Sequence, residues 1–280
     1  MPAGTLFVVA TPIGNLEDFS LRGIRTLKEV DLIAAEDTRR TAKLLAHYDI
    51  QKPLVSLREH NEHREAPRLV ERLKAGASIA LVSDAGTPGI ADPGTGLVRE
   101  ALHAGIRVSP IPGASAITAA LSASGFPAEQ FVFLGFPPSS GLDRERWFET
   151  ASQEPRTCVF YEAPHRIART LSESSEYLAN RPINVFREIS KLHEELVIWD
   201  KDASFREDGE FVIVVGPVQV VDSVEPEPDE VAILFGQIAE NTNLAEDDVM
   251  NLVSHHFGIS GPRTKNLVKK GRILQKQKQS

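Results

Sequence analysis

The first half of the chain alternates short apolar runs with amphipathic stretches, and that alternation constrains the fold more than any other feature. TLFVVA (Thr5 to Ala10), DLIAAE, SIALVS (Ser78 to Ser83) and Ile106 to Pro110 read as strands. Between and after them, Ser20 to Val30, Thr38 to Tyr48, Ala66 to Ala75, Thr95 to Ala104 and Ser115 to Ser124 read as helices. Near-continuous apolar strands separated by helices require a parallel sheet covered on both faces, an α/β architecture. Beyond Gly141, strands are expected at about Thr157 to Tyr161, Ile183 to Arg187, Glu195 to Trp199 and Glu210 to Val215, with one long helix between the first two. Short turns such as REDGE suit an antiparallel part of a mixed sheet, so a second α/β layer is predicted, with a boundary near Ala120 to Gly125.

The acidic, proline-containing VVDSVEPEPDE reads as a linker. After it, Asn243 is placed to cap a helix reaching about Phe257, the turn Gly258-Ile259-Ser260 ends it, and a basic helix follows with Arg263, Lys265, Lys269 and Lys270. The expected division is an N-terminal α/β domain 1–121, a second α/β domain 122–220, an acidic linker and start of the extension 221–241, and a basic helical module 242–280.

Net charge is −8, which on its face disfavours nucleic acid, yet the charge is segregated. No Lys or Arg lies between Val218 and Asp248, and no acidic residue lies after Asp248, so a polyanion could be met locally at the C-terminus. The opening MPAGTLFVVATP has no basic region ahead of its brief apolar run, unlike a signal peptide or membrane span, and the single cysteine, Cys158, has no partner in the chain. An intracellular, cytoplasmic protein without a membrane partner is expected.

Four segments interrupt or follow apolar strands with small, charged or turn-forming residues: TPIGN (Thr11 to Asn15), EDTRR (Glu36 to Arg40), SDAGTPGIADPG (Ser83 to Gly94) and PIPGASA (Pro110 to Ala116). In an open parallel sheet the ligand crevice lies beyond the carboxyl ends of the strands, where such loops converge. Neither G-x-G-x-x-G after the first strand nor G-x-x-x-x-G-K-[ST] is present, which argues against a conventional dinucleotide site and a P-loop.

In order along residues 4 to about 217, the long motif from GTLFVVATPIGNLEDFS to AAEDTRRTAKLL, then EHNEHR, LVSDAGTPGIADPG, PIPGASAITAALSASG, FYEAPHRI and GEFVIVVG resemble the tetrapyrrole-methylase superfamily, in its branch acting on ribosomal RNA. Ring-methylating members typically open with a loop like GAGPGDPELLT, where this chain has ATPIGNLEDFS. The resemblance implies two α/β domains, a parallel-sheet N-terminal one and a mixed-sheet second one, with a small C-terminal helical extension. It implies S-adenosylmethionine in the cleft between the domains, a homodimer, and 2′-O-methylation of a cytidine in small-subunit ribosomal RNA, free or in the assembled subunit. Asp84, Ala85, Gly86, Thr87, Ile90 and Ala91 would then line the cofactor, with Gly113, Ala114, Ser115 and Ala116 from the next loop and Tyr161, Glu162 and Ala163 from the second domain.

Methylating a hydroxyl releases a proton, and Glu36, Asp37, Glu188 and Lys191 are the candidates to handle or orient it, with Glu59 and His60 beside them. Arg39, Arg40, Arg58, Arg64 and Arg166 have the forked donors that fit phosphate oxygens, as do the basic residues of the last helix. Each assignment has a plainer alternative. Glu36 and Asp37 can cap a helix, Trp147 and Phe148 can anchor one instead of stacking on a base, and His60 with His63 is too sparse a pair to predict a metal site. Two other functions stay open on the residues: tetrapyrrole carbon methylation and a non-catalytic RNA-binding assembly factor.

Overall fold

The computed structural model describes residues 3–178, 181–200, 202–204, 206–218, 226–242, 244–257 and 261–278. They form two compact units, Met1–Val218 and Gln219–Ser280.

The first unit opens with five parallel strands, β1 (Thr5–Val9), β2 (Leu32–Ala35), β3 (Leu54–Ser56), β4 (Ile79–Val82) and β5 (Arg107–Ile111), in the order β3-β2-β4-β1-β5. β2 and β4 are buried along their whole length, because helices cover both faces of the sheet. Leu27 of α1 (Leu21–Glu29) and Leu45 of α2 (Thr38–His47) pack on one face with Val9, Ile33 and Val82. On the other, Leu69 and Leu73 of α3 (Glu62–Lys74) and Leu97 of α4 (Thr95–His103) pack with Leu6, Ile79 and Leu81. β1 and β4 are neighbours whose following helices leave to opposite faces. Their loops therefore part, and a crevice opens at their carboxyl ends.

The second sheet has the order β6-β7-β10-β8-β9, from β6 (Phe131–Phe133), β7 (Thr157–Glu162), β8 (Ile183–Arg187), β9 (Glu195–Trp199) and β10 (Phe211–Val215). β6 runs parallel to β7 and the other pairs are antiparallel. Side chains alternate along β10. Phe211, Ile213 and Val215 pack with residues of α6 (Gly141–Gln153) and α7 (Ile167–Tyr177), whereas Val212 and Val214 face Ile117, Ala120 and Leu121 of α5 (Ala116–Ser124). Thus α5 follows β5 in the chain yet packs on the second sheet, which ties the two sheets through one helix.

Several expectations are corrected. REDGE does not join paired strands, since β8 lies between β9 and β10. β3 and β6 were not anticipated as elements. Of the two readings of Trp147 and Phe148, the helix anchor holds: both belong to α6, Phe148 is fully buried and the Trp147 indole donates to the Leu134 carbonyl at 3.2 Å.

The second unit contains three helices among the described residues, α8 (Pro228–Asn241), α9 (Glu246–Phe257) and α10 (Gly261–Lys278), where two had been expected. Val231, Phe235, Val249, Val253, Leu267 and Val268 form its core, and Arg272 lies over the Phe235 ring at 4.9 Å. Asn243 and the turn Gly258-Ile259-Ser260 lie outside the described residues. No helix among those described is long and apolar enough to cross a membrane.

Candidate functional site

A cavity of about 300 Å³ lies where the loops of the first sheet meet the second sheet. Ala85, Gly86, Thr87, Ile90 and Ala91 line it from the loop after β4, Ser115 and Ala116 from the start of α5, and Tyr161, Glu162 and Ala163 from the end of β7. The sequence reading missed Ile13, Asp92, Phe136, Pro164, Ile189, Glu210, Phe211 and Val212. Ile13 and Asp92 lie in loops already assigned to the crevice and Pro164, Glu210, Phe211 and Val212 lie in quoted motifs, so the signal was present without the assignment, whereas Phe136 and Ile189 lie outside any motif.

The loops are locked before any ligand arrives. Thr11 and Gly86 exchange both backbone hydrogen bonds, Thr11 N–H to the Gly86 carbonyl at 2.8 Å and Gly86 N–H to the Thr11 carbonyl at 3.1 Å. Gly86 has φ of +80°, and a Cβ there would sit 3.3 Å from the Ile13 side chain. It is thus required for backbone conformation and for room, while its amide is already used. The Thr87 hydroxyl donates to the Ala114 carbonyl at 3.3 Å, joining this loop to the one after β5.

Three expected cofactor contacts are placed elsewhere. The Asp84 carboxylate accepts the Asp37 N–H at 3.0 Å and pairs with Arg40 at 3.3 Å, so it braces the start of α2 and is not part of the cavity wall. Gly113 backs onto β1, where a Cβ would lie 2.9 Å from that of Ala10, and Ala114 contributes the carbonyl that holds Thr87. Glu162 reaches the wall, but its buried carboxylate is committed inward to Arg166 at 2.6 Å, the Thr170 hydroxyl at 2.5 Å and its neighbour's N–H. Arg166, a candidate phosphate holder, is engaged within the protein, its guanidinium pairing with Glu162 and donating to the Pro137 carbonyl at 3.2 Å.

Two open clefts adjoin the cavity. The first, about 630 Å³, meets it at Ala91 and Asp92 and carries six carboxylates, Glu36, Asp37, Glu59, Glu62, Asp84 and Asp92, with Arg39, Arg58 and His60. Burial pushes the Glu36 carboxyl above its ordinary value. Burial also raises Asp92, helped by the Asp84 charge. Asp37 is the N-cap of α2, accepting the Arg39 N–H at 2.8 Å, which holds its carboxyl below the usual range. The capping alternative therefore accounts for Asp37, while Glu36 instead accepts the Asp84 N–H at 3.4 Å. Arg58 donates to the Glu36 carbonyl at 3.1 Å, and Arg64 pairs with Glu65 on α3, outside these cavities.

The second cleft, about 400 Å³, meets the cavity at Ile13, Ala85 and Glu210 and is lined by Arg40, Lys43 and His47 of α2 and by Lys191. Lys191 sits between Glu188 at 2.8 Å and Glu210 at 3.0 Å. Although burial opposes both charges, these contacts lower Glu188 and raise Lys191, so the pair stays ionised. Gly14 lies against it, since a Cβ there would fall 2.3 Å from the Lys191 side chain. Glu188 and Ser190 both have positive φ, 52° and 69°, an uncommon conformation for such residues that the surrounding bonds hold in place. The Ser190 hydroxyl, for instance, bonds Asp18 of the loop after β1.

Residues 5–202 match the family described as Tetrapyrrole (Corrin/Porphyrin) Methylases. The chain belongs to the tetrapyrrole methylase family. Among relatives, it is 46% identical over 234 residues to Ribosomal RNA small subunit methyltransferase I of Pseudomonas aeruginosa, covering 80% of this chain and 83% of that protein. It is 49% identical over 220 residues to the protein of that name from Halalkalibacterium halodurans, covering 76% of this chain and 75% of the relative. In fold it is similar to a crystal structure of diphthine synthase, with a TM-score of 0.60 and 18% identity over 76% of this chain and 90% of that one. Uroporphyrin-III-C-methyltransferase from Thermus thermophilus gives 0.52 and 19% over 77% and 95%.

As in a tetrapyrrole methylase, the cofactor is S-adenosylmethionine, and the cavity residues fit it. Its volume is at the small end of the range for small-molecule sites. The positive-φ Gly86 and the small side chains of Ala85, Ala91, Ser115, Ala116 and Ala163 leave room for close approach. Phe136 and Tyr161, with ring centroids 5.3 Å apart, supply aromatic surface for a cation, and the carboxyl groups of Asp92 and Glu210 border the same cavity. Burial pushes the Tyr161 phenol up to about 12, so it remains neutral. Among the described residues, no group of three or more His, Cys, Asp or Glu is placed to hold a metal ion.

Arg263, Lys265, Lys269 and Lys270 are exposed on α10, in the second unit.

Proposed function

We propose that this protein is an S-adenosylmethionine-dependent methyltransferase that modifies the ribose 2′-hydroxyl of a cytidine in small-subunit ribosomal RNA. The observation that carries the reading is near-half identity across about three quarters of the chain to relatives named as small-subunit ribosomal RNA methyltransferases. The bound cofactor supplies an electrophilic methyl group on a sulfonium that departs as a neutral thioether.

The protein's own contribution is positioning and proton handling. Ala85, Gly86, Thr87, Ser115, Ala116 and Ala163 hold the donor between the sheets. Glu36 and Asp37 stand in the carboxylate-rich cleft, whereas Glu188 and Lys191 stand at the other. Asp92 and Glu210 join the candidates for the departing proton, because each borders both the donor cavity and one cleft. An RNA substrate of the ribosome places the enzyme in the cytoplasm, acting on free RNA or on the assembled subunit.

The enzyme works as a homodimer. Leu196 and Ile198 alternate along the edge strand β9, and both are exposed, as is Leu192 beside it. Apolar residues repeated on the outer face of an edge strand suit a second copy.

The reading is tested by incubating purified protein with methyl-labelled cofactor and small ribosomal subunits lacking the modification. Label on a single cytidine ribose is expected. Label delivered to a tetrapyrrole would overturn it, and a protein that binds no cofactor at millimolar concentration would point to the assembly factor.

A further inference from the structure

The two clefts beside the donor cavity differ in charge, and that difference decides which of them can accept a polyanion. The first sets six carboxylates against Arg39, Arg58 and His60, and both arginines already lie beside Asp37, at 3.4 and 3.6 Å. A phosphate there would meet net negative charge.

The second cleft carries no such excess of carboxylates. Arg40, Lys43, His47 and Lys191 share its wall with only two carboxylates, Asp84 and Glu210; Arg40 pairs with Asp84, and Lys191 with Glu210 and with Glu188 beside the wall, so the carboxylates are matched without Lys43 or His47. Lys43 forms no ion pair among the described residues and is exposed. Residues 40, 43 and 47 fall on one side of α2 by helical spacing, while Thr41 and Leu45 turn into the core. The cleft also reaches the donor cavity directly, at Ile13, Ala85 and Glu210.

We propose that the RNA approaches the donor through this second cleft, with Lys43 and His47 joining Arg40 along α2 to hold phosphates flanking the target ribose. The assignment rests on the rRNA methyltransferase reading above. It moves the phosphate-holding role away from Arg39 and Arg58, which the sequence motif had made equal candidates with Arg40. Lys43 and His47 carry no motif signal of their own. Only the side of α2 on which the cavity opens singles them out.

The test compares Lys43→Ala/His47→Ala with Arg39→Ala in binding to small subunits lacking the modification, measured across a salt series, with calorimetric binding of S-adenosylmethionine as the control for folding. The double variant is expected to bind subunits roughly fivefold to tenfold more weakly, with a salt slope shallower by about 1 to 2, at unchanged cofactor affinity. Arg39→Ala should stay within about twofold of wild type, and Lys43→Glu should lose more than Lys43→Ala. Wild-type subunit binding by the double variant, or a larger loss in Arg39→Ala, would overturn the proposal while leaving the methyltransferase reading intact. Failure of the wild-type protein both to bind and to methylate subunits would remove that reading, and the proposal with it.

Discussion

Glu36 ends a buried strand and begins the loop that α2 caps, so its carboxyl loses water on folding and its proton is held more tightly than in the unfolded chain. For an acid whose folded value is raised, the folded state binds the extra proton only above the unfolded value of about 4.5, and stability falls as pH rises through that window. Glu36→Gln removes this loss. Its urea midpoint should therefore rise relative to wild type between pH 4.5 and neutrality, with the two proteins closest below that window. A midpoint difference that does not vary with pH would refute the assignment. Other single residues changed meaning once their partners were visible. Asp84 and Arg166 look like ligand-facing groups in SDAGTP and EAPHRI, but each is consumed by a neighbour far away in sequence or across a turn. A motif names the residue type, whereas the direction of the side chain is set by what packs around it.

At the scale of elements, long periodic segments were legible and short ones were not. α1 and α2 were readable from apolar spacing, and α2 also from Asp37 as a possible cap. β3 and β6 have only three residues each, too few for alternation to appear, and α6 showed itself only through the apolar pair Trp147 and Phe148, since most of its positions are polar. β9 was legible as a strand, but its edge position was not, and that position gives Leu196 and Ile198 their consequence. Replacing both by Lys should convert a dimer to a monomer in sedimentation velocity while cofactor binding persists. A wild-type protein already monomeric at micromolar concentration would rule out β9 as a dimer edge.

For the whole molecule, the division at residue 218 bears on how the basic C-terminal helix can be tested. The proposed module 242–280 excludes α8, yet Val231 and Phe235 of α8 share a core with α9 and α10, and a Cβ on Gly271 would lie 2.0 Å from the Pro228 carbonyl oxygen. A cut at 242 would expose that core. Ending the chain after Val218 instead should leave cofactor binding within about twofold, because the donor cavity lies wholly in the first unit. Subunit binding should weaken at least about fivefold through loss of the exposed cations on α10. Equal loss of both affinities in a folded truncation would refute this division of labour. The sequence by itself determined the α/β class, the parallel first sheet and the loops that meet at its carboxyl edge, because strand burial and helix periodicity are local properties of the chain. Only the tertiary structure decided that α5 serves the second sheet, that Asp84 and Glu162 spend their charge inward, and that one cleft carries an excess of carboxylates while the other leaves Lys43 and His47 unmatched. Those outcomes depend on electrostatic and packing partners brought together by folding, and no spacing along the chain encodes which charges will meet.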